Sequence, residues 1–146
     1  LPWNDLSFTG APKTYDASAC SGGNNNNLIF IFGDAVNNIS FTNKFDLSSQ
    51  QWTNVTSGGN EPTKRDNFSC AKYNNRFIAI FSGDNNFRIP NDLWIFDSLE
   101  STWSLNNASN APQNIYGYCA ITLPDETILY IGGTFRDILK GVPMNK

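Results

Sequence analysis

Two adjacent carboxylates, Asp125 and Glu126, are the residues of this chain whose type and spacing come nearest to an acid–base pair. Such a pair transfers protons when burial keeps one carboxyl group protonated while the other stays ionised. These two follow Pro124 in a short polar segment between two apolar runs, which is the composition of a hairpin turn. We therefore interpret them as a solvated turn and not as a catalytic pair.

Other kinds of active site have little support. The chain contains no histidine, which removes Ser-His-Asp and Cys-His catalysis and the commonest ligand of transition metals. Residues 84–86 (Asp-Asn-Asn) superficially resemble a calcium loop, but they lack its spaced carboxylates and terminal Glu. No glycine-rich segment follows a strand and opens a helix, as a phosphate loop would. We predict no catalytic, metal-binding or cofactor-binding residue in these positions.

Surface recognition is the chemistry that remains. Arg88 and Arg136 lie in two long polar segments, each directly after a phenylalanine. Those phenylalanines are Phe87 and Phe135. Arginine beside an aromatic ring is the composition of binding hot spots, and long loops on a rigid scaffold often carry recognition. With Arg65, these four residues are our candidates for contact with a partner.

The elements that position these residues follow a repeat of about fifty residues. Four residue types recur in the same order: Pro12, Pro62 and Pro112; Cys20, Cys70 and Cys119; Gly33, Gly83 and Gly133; Trp3, Trp52 and Trp103. The phase of the four holds to within about one residue. Such a period indicates stacked supersecondary units, none of which buries its apolar face alone.

One unit consists of four short predicted strands with no helical periodicity. In the central unit they are residues 66–72, 77–81, 92–97 and 102–105. Tyr73–Arg76 supplies a tight turn, because asparagine tolerates positive φ at low cost. Short strands joined by polar turns predict an all-β chain of four-stranded antiparallel meander sheets.

The repeat resembles the kelch motif. Gly132-Gly133 ends a predicted second strand, Asp97 closes a third strand, and Trp103 follows it in the fourth. Pro62 and Arg65 resemble the family's Pro-x-x-Arg entry into the first strand. Further matches and departures lie in the other units: Phe32-Gly33, Ser82-Gly83, Asp46 with Trp52, and Asn91–Asp97 match, whereas Tyr15 and Ile115 depart from the entry.

This resemblance implies a kelch-type β-propeller, whose blades are four-stranded sheets around a central channel. Closed propellers have about four to eight blades, so this chain is expected to be an incomplete ring. We expect a part of a longer protein, or a ring that separate chains complete. The predicted division is residues 1–14 for the end of a preceding blade, 15–56 and 65–106 for two blades, and 115–146 for the first half of another.

In an antiparallel meander, the loop after the second strand and the connection to the next blade lie at the same end. The segments expected at this end are residues 34–40, 53–66, 84–90, 106–116 and 134–143. They contain or adjoin all five candidate residues. We therefore predict that a partner binds this face.

Composition leaves the compartment open. The net charge is −3 with only ten Lys and Arg, so no basic patch favours nucleic acid, and no apolar run has membrane-spanning length. Equivalent positions in neighbouring blades are expected to lie too far apart for a disulfide, so we expect reduced, mostly buried cysteines. Asn38, Asn54, Asn67 and Asn107 begin N-x-Ser/Thr sequons, but about three would arise by chance in so Asn-rich a chain. Cytoplasmic and secreted or cell-surface locations both remain possible.

The leading interpretation is a non-enzymatic kelch propeller that acts as a protein-interaction scaffold. One alternative is the non-catalytic portion of a galactose-oxidase-like copper oxidase, a family whose copper ligands are histidine and tyrosine. Tyr15, Tyr116, Tyr118 and Cys119 could contribute only parts of such a site. Another alternative is a cell-surface propeller that binds carbohydrate through exposed aromatic residues.

Overall fold

The structure is a computed structural model that describes residues 3, 5, 10–33, 40–57, 60–85 and 88–135. Its strands are β1 (Ser18–Gly22), β2 (Leu28–Phe32), β3 (Thr42–Asp46), β4 (Gln51–Val55), β5 (Cys70–Tyr73), β6 (Phe77–Phe81), β7 (Leu93–Asp97), β8 (Thr102–Asn106), β9 (Ile115–Thr122) and β10 (Ile128–Phe135). A 3-10 turn at Asn24–Asn26 joins β1 to β2. No α-helix occurs among the described residues.

The strands form three antiparallel sheets in chain order. β1–β4 make blade one, β5–β8 make blade two, and the β9–β10 hairpin belongs to blade three. Each strand pairs with its sequence neighbour, which is the predicted meander. The all-β class and the four-stranded antiparallel blades of an incomplete propeller are therefore confirmed. The predicted strand at the end of a preceding blade lies mostly outside the described residues. Trp3, which is described, is in no strand and is 97% exposed.

The hairpin turns follow from residues that accept a left-handed backbone. Asn74 and Asn75 both have φ of 50° in the β5–β6 turn. The Arg76 N–H closes this turn by donating to the Tyr73 carbonyl at 3.2 Å. Asparagine adopts positive φ more cheaply than other non-glycine residues, so its choice at both positions favours this tight connection.

β5 begins later than the sequence predicts, at Cys70 instead of Asp66. The reason is Asn67, which has φ of 52° and uses its backbone to join blades. Its N–H donates to the Asp16 carbonyl at 3.3 Å, and its carbonyl accepts from the Gly117 N–H at 2.6 Å. These partners belong to blades one and three. The segment just before β5 therefore bonds to the neighbouring blades and not to its own sheet.

The outer strands confirm the predicted equivalence of two tryptophans. Trp52 pairs with Phe45 between β4 and β3, and Trp103 pairs with Phe96 between β8 and β7. Both tryptophans therefore occupy the same position on the fourth strand of adjacent blades.

Blades one and two pack through aromatic side chains. Phe30 and Phe32 are fully buried, and their rings lie 4.9 and 5.5 Å from the ring of Phe96 in edge-to-face contacts. Trp103 lies 5.3 Å from Phe32, and its Nε1–H donates to Thr42 Oγ1 across the interface at 3.0 Å. Edge-to-face packing adds to the hydrophobic gain from burying large rings, so this interface forms the core of the fold.

The expectation of reduced cysteines is wrong for two of the three. Cys20 and Cys70 form a disulfide between blades one and two, with their Cα atoms 6.4 Å apart. Only Cys70 is largely buried, at 6% exposure. Cys119 is free and exposed.

The strand register explains this error. Leu28 pairs with Asp46 and Phe77 pairs with Asp97, so Leu28 and Phe77 hold corresponding positions in their blades. Counting through the β1–β2 and β5–β6 registers, the residue that corresponds to Cys20 is Ala71, not Cys70. Since successive side chains on a strand point to opposite faces, this slip of about one residue turns the two cysteines toward each other.

The same reasoning accounts for Cys119. Ala120 pairs with Tyr130 as Cys70 pairs with Ile80, so Ala120 corresponds to Cys70 and is buried. Cys119, one residue earlier, points to the other face of the β9–β10 hairpin. That face carries the partly exposed side chains of Ile121 and Leu129.

We expect replacement of Cys20 by Ser to destabilise the chain by about 4 kcal/mol, because the bond closes a loop of about fifty residues in the unfolded state. Denaturant unfolding of C20S and of the wild type, with and without reductant, measures this difference. The control is Cys119→Ser, which should leave the unfolding free energy unchanged. Equal stability of C20S and the wild type would contradict the disulfide.

The two equivalent tryptophans should respond differently to replacement by Phe. Trp103→Phe removes the bond to the buried Thr42 hydroxyl, whereas Trp52→Phe removes a buried Nε1–H that has no acceptor among the described residues. We expect Trp103→Phe to cost about 1 kcal/mol more, since an unpaired buried donor is itself unfavourable. Urea unfolding of both variants measures the difference, and an equal or larger loss for Trp52→Phe would be inconsistent with it.

Candidate partner-binding face

The described parts of the predicted loops lie together at one end of the blades, which we call the loop face. In the described residues it comprises 53–57, 60–66, 84–85, 88–92 and 106–114. Asp66, before β5, and Asp84, after β6, exchange backbone hydrogen bonds at 2.8 and 2.9 Å. This bridge joins the incoming connection to the loop after the second strand, as the meander topology requires.

Gly83 allows that close approach. It has φ of 98°, and a Cβ atom built on it would lie 3.0 Å from the Asp66 carbonyl oxygen and 3.1 Å from the Phe68 Cβ atom. A larger residue here would need an unfavourable backbone conformation, and its side chain would be too close to Asp66 and Phe68. Gly133 repeats this in blade three with φ of 95°, where an added Cβ would lie 2.8 Å from Ile115.

Beneath the loop face, Arg65 holds three segments of blade two together. Its Nη1 and Nη2 groups donate to the two carboxylate oxygens of Asp92 at 2.5 and 3.0 Å. Nη1 also donates to the Ser82 carbonyl at 3.1 Å, and Nε donates to the Thr63 carbonyl at 3.0 Å. A guanidinium group suits this task because its planar fork carries several donors in fixed directions. The loop between β6 and β7 is thereby tied at both of its ends.

Asp92 is held ionised by this arrangement. Burial opposes its charge, but the hydrogen bonds and the positive charge of Arg65 outweigh burial and lower the pKa of Asp92 below its ordinary value. The Trp94 Nε1–H adds a further hydrogen bond to the same carboxylate at 2.8 Å. The charged pair is therefore a structural clamp whose polar atoms are satisfied.

The structure corrects the expected position of Arg65. Its side chain has 0% exposure, so it lies beneath the loop face and cannot itself meet a partner there. Asp92, which accounts for this burial, was not among the predicted residues. A signal was present, because Arg65 ends the Pro-x-x-Arg entry and Asp92 stands directly before an apolar strand.

The other candidates occupy different positions. Arg88 is exposed on the loop face, and its backbone forms a turn with Asn85: the Arg88 N–H donates to Asn85 Oδ1 at 2.8 Å, and the Asn85 N–H donates to the Arg88 carbonyl at 3.2 Å. Phe135 is the last residue of β10, half-buried and paired with Ile115, so it belongs to a strand and not to a loop. Phe87 and Arg136 lie outside the described residues.

At the opposite end of the blades, carboxylates bond within hairpin turns and, at Glu126, between the turns of two blades. Arg76 Nε lies 2.9 Å from both carboxylate oxygens of Asp97. Asp125 Oδ1 accepts from the Thr127 N–H at 3.0 Å, and Glu126 Oε2 accepts from the Asn74 N–H at 2.6 Å. These carboxylates serve turns, as the sequence predicts for Asp125 and Glu126.

The tyrosines of blade three pack between sheets. The Tyr118 hydroxyl donates to the Phe81 carbonyl of blade two, and burial raises the pKa of Tyr118 far above its ordinary value. Burial, with the neighbouring Tyr73, also raises the pKa of Tyr130 to about 12. Both phenols therefore stay protonated and join blade two to blade three.

The described residues contain neither a cluster of metal ligands nor a membrane-spanning helix. No group of three or more His, Cys, Asp or Glu side chains there is placed to hold a metal ion. None of the helices in that part of the chain is long and apolar enough to cross a membrane.

Comparison with known families agrees with the four-stranded blades. The KLHDC2/KLHL20/DRC7 Kelch-repeats domain matches residues 1–143. The chain belongs to the kelch-repeat family. A comparison with curated proteins found no match. Kelch domains generally bind proteins, which is the broad role that the family supports.

In this kelch chain we expect the Arg65–Asp92 pair to make stability depend on acid pH. Asp92 has a lowered pKa when folded, so its contribution is present above the unfolded value of about 3.9 and is lost as pH falls below it. Asp92→Asn should therefore show a smaller loss of unfolding free energy between neutral pH and the acid range. Denaturant unfolding at a series of pH values measures this dependence.

The matched control is Glu100→Gln, which removes a carboxylate that is 69% exposed and should leave the pH dependence nearly unchanged. Arg65→Met should cost about 3 kcal/mol at neutral pH, because it leaves the Asp92 charge without its partner. An unaltered acid dependence in Asp92→Asn would show that the pair does not contribute as described.

Proposed function

We propose that this chain is part of one kelch propeller domain that binds a protein partner through the loop face, without catalysis of its own. Within that domain, residues 15–56, 65–106 and 115–146 would belong to successive blades and residues 1–14 to a preceding one. The observation that carries the proposal is the buried Arg65–Asp92 clamp under an exposed Arg88.

The clamp supports binding because it fixes the loop before a partner arrives. Asp84 is bridged to Asp66, Asp92 is held by Arg65, and Ile89 is buried at 8% exposure between them. The described parts of this loop, residues 82–85 and 88–92, are therefore anchored and lose less conformational entropy on binding. Binding by such preorganised loops is favoured for that reason.

Arg88 is the residue this loop presents to solvent. Its backbone is fixed by the turn with Asn85, while its side chain is exposed. A guanidinium group recognises carboxylates in a paired geometry, and arginine is enriched among hot spots. We therefore propose that Arg88 contacts an acidic side chain of the partner, with Phe87 and Arg136 as further candidates on this face and Phe135 at its margin.

We expect Arg88→Ala in the full-length protein to weaken capture of its partner about tenfold, the usual effect of losing a hot-spot side chain. Affinity purification from the protein's own cells, followed by quantitative mass spectrometry, identifies partners whose recovery depends on Arg88. Arg76→Ala is the matched control, since Arg76 is a partly exposed arginine at the opposite end of blade two.

A partner whose recovery falls with Arg88→Ala but not with Arg76→Ala supports the loop face. Equal recovery with both variants would place binding elsewhere. Loss of folding is monitored by circular dichroism, and both variants should retain the wild-type spectrum because neither side chain is in the core.

A further inference from the structure

The disulfide between Cys20 and Cys70 bears on where this protein matures. It joins the first strands of two adjacent blades, which lie 50 residues apart along the chain. Its formation removes two electrons and two protons from the thiols and passes them to a disulfide-bearing oxidoreductase. Structural disulfides of this kind form in the secretory pathway and are rare in the reducing cytosol.

In the secretory pathway, N-x-Ser/Thr sequons can receive N-linked glycans. Four sequons are close to the number expected by chance, so their number alone does not indicate glycosylation. The structure separates them by position. Asn54 is exposed on the outermost strand β4, and Asn107 is exposed directly after the outermost strand β8. Both are on the outer rim of the blades, where a bulky glycan has room.

Repeat equivalence tests whether a neighbouring blade would cover these positions. The β3–β4 and β7–β8 registers align Asn54 with Leu105, since Trp52 aligns with Trp103. Leu105 is 62% exposed although blade one packs against blade two at Trp103. The position of Asn54 is therefore accessible even where a preceding blade is in place.

Asn67 is also exposed, but it lies in a different environment, away from the outer rim. Its Nδ2 group donates to Asp66 Oδ1 at 3.1 Å, and its backbone bonds to Asp16 and Gly117 join three blades. A glycan here would stand on the innermost strands, at the junction of the blades. Asn38 lies outside the described residues.

We propose that this chain matures in an oxidising secretory compartment, where Asn54 and Asn107 receive N-linked glycans and Asn67 does not. In each transfer the amide nitrogen of Asn attacks the anomeric carbon of a lipid-pyrophosphate-linked oligosaccharide. The new bond is C–N, the glycosidic C–O bond to the lipid pyrophosphate breaks, and the amide nitrogen gives up one proton. Because Asn54 and Asn107 lie at the outer rim of the loop face, the two glycans would confine a partner to the rest of that face.

The test uses the full-length protein purified from the cells that make it. Alkylation without reductant, followed by proteolysis and mass spectrometry, should recover Cys20 and Cys70 in one linked peptide and Cys119 alkylated. Enzymatic removal of N-glycans in heavy-oxygen water should label Asn54 and Asn107 in most copies and leave Asn67 unlabelled.

Variants expressed in the same cells give the matched controls. Asn54→Gln and Asn107→Gln should each increase electrophoretic mobility by the loss of one glycan. Asn67→Gln should not, and neither should Asn110→Gln, since Asn110 is an exposed asparagine outside any sequon. Thr56→Ala should repeat the effect of Asn54→Gln, because it breaks the same sequon while keeping the asparagine.

Two results would overturn the proposal. Alkylated Cys20 and Cys70 with no glycan at any site would indicate a reducing compartment. A linked disulfide without glycans at Asn54 and Asn107, or glycosylation of Asn67 in their place, would show that these outer-rim sites are not the ones modified. Neither result bears on whether Arg88 binds a partner, so the two proposals can fail independently.

Discussion

The structure depends on contact between the faces of neighbouring blades. A four-stranded sheet of short strands has two faces, and burial of only one leaves a small domain with little hydrophobic stabilisation. Phe30 and Phe32 of blade one are fully buried only because Phe96 and Trp103 of blade two cover them. In this contact the buried hydroxyl of Thr42 accepts a hydrogen bond from the indole N–H of Trp103. Each blade therefore acquires its core from the next.

The innermost strands add a second set of links with a different physical basis. Asp16, Asn67 and Gly117 all have positive φ, and their backbones bond from blade to blade. A left-handed residue turns the N–H and the carbonyl away from its own sheet, so both can reach neighbours. Aspartate, asparagine and glycine are the residues that accept this conformation at low cost. The local backbone choice thus determines how closely successive blades approach.

Much of this could be read from sequence, since it rests on local signals. The turns at Asn74-Asn75, the apolar second strands and the Asp-to-Trp spacing each reflect short-range preferences, and the structure agrees with all three. The burial of Arg65 does not follow from local signals, because its partner Asp92 is 27 residues away along the chain. An arginine in a polar segment resembles a surface residue until Asp92, from a separate strand, is placed against it.

The cysteines show why a repeat period alone is an insufficient guide. Their spacing along the chain suggests equivalent positions, yet a strand changes face with every residue, so a shift of about one residue reverses what a side chain meets. Cys20 and Cys70 face each other for this reason, and Cys119 faces away from Ala120 and from blade two. The register of a strand is set by its pairing with neighbouring strands, so the sequence of one strand does not reveal it.

The loop between β6 and β7 is also held by contacts between blades two and three. Ser82 donates its hydroxyl to the Ile115 carbonyl at 2.7 Å, and the Gly83 N–H donates to that carbonyl at 3.2 Å. Both bonds are made to the backbone carbonyl of Ile115. They therefore do not depend on which side chain blade three has at this position. Arg65 fixes the same loop from within its own blade. The described ends of the loop between β6 and β7 are therefore held by blade three as well as by their own blade.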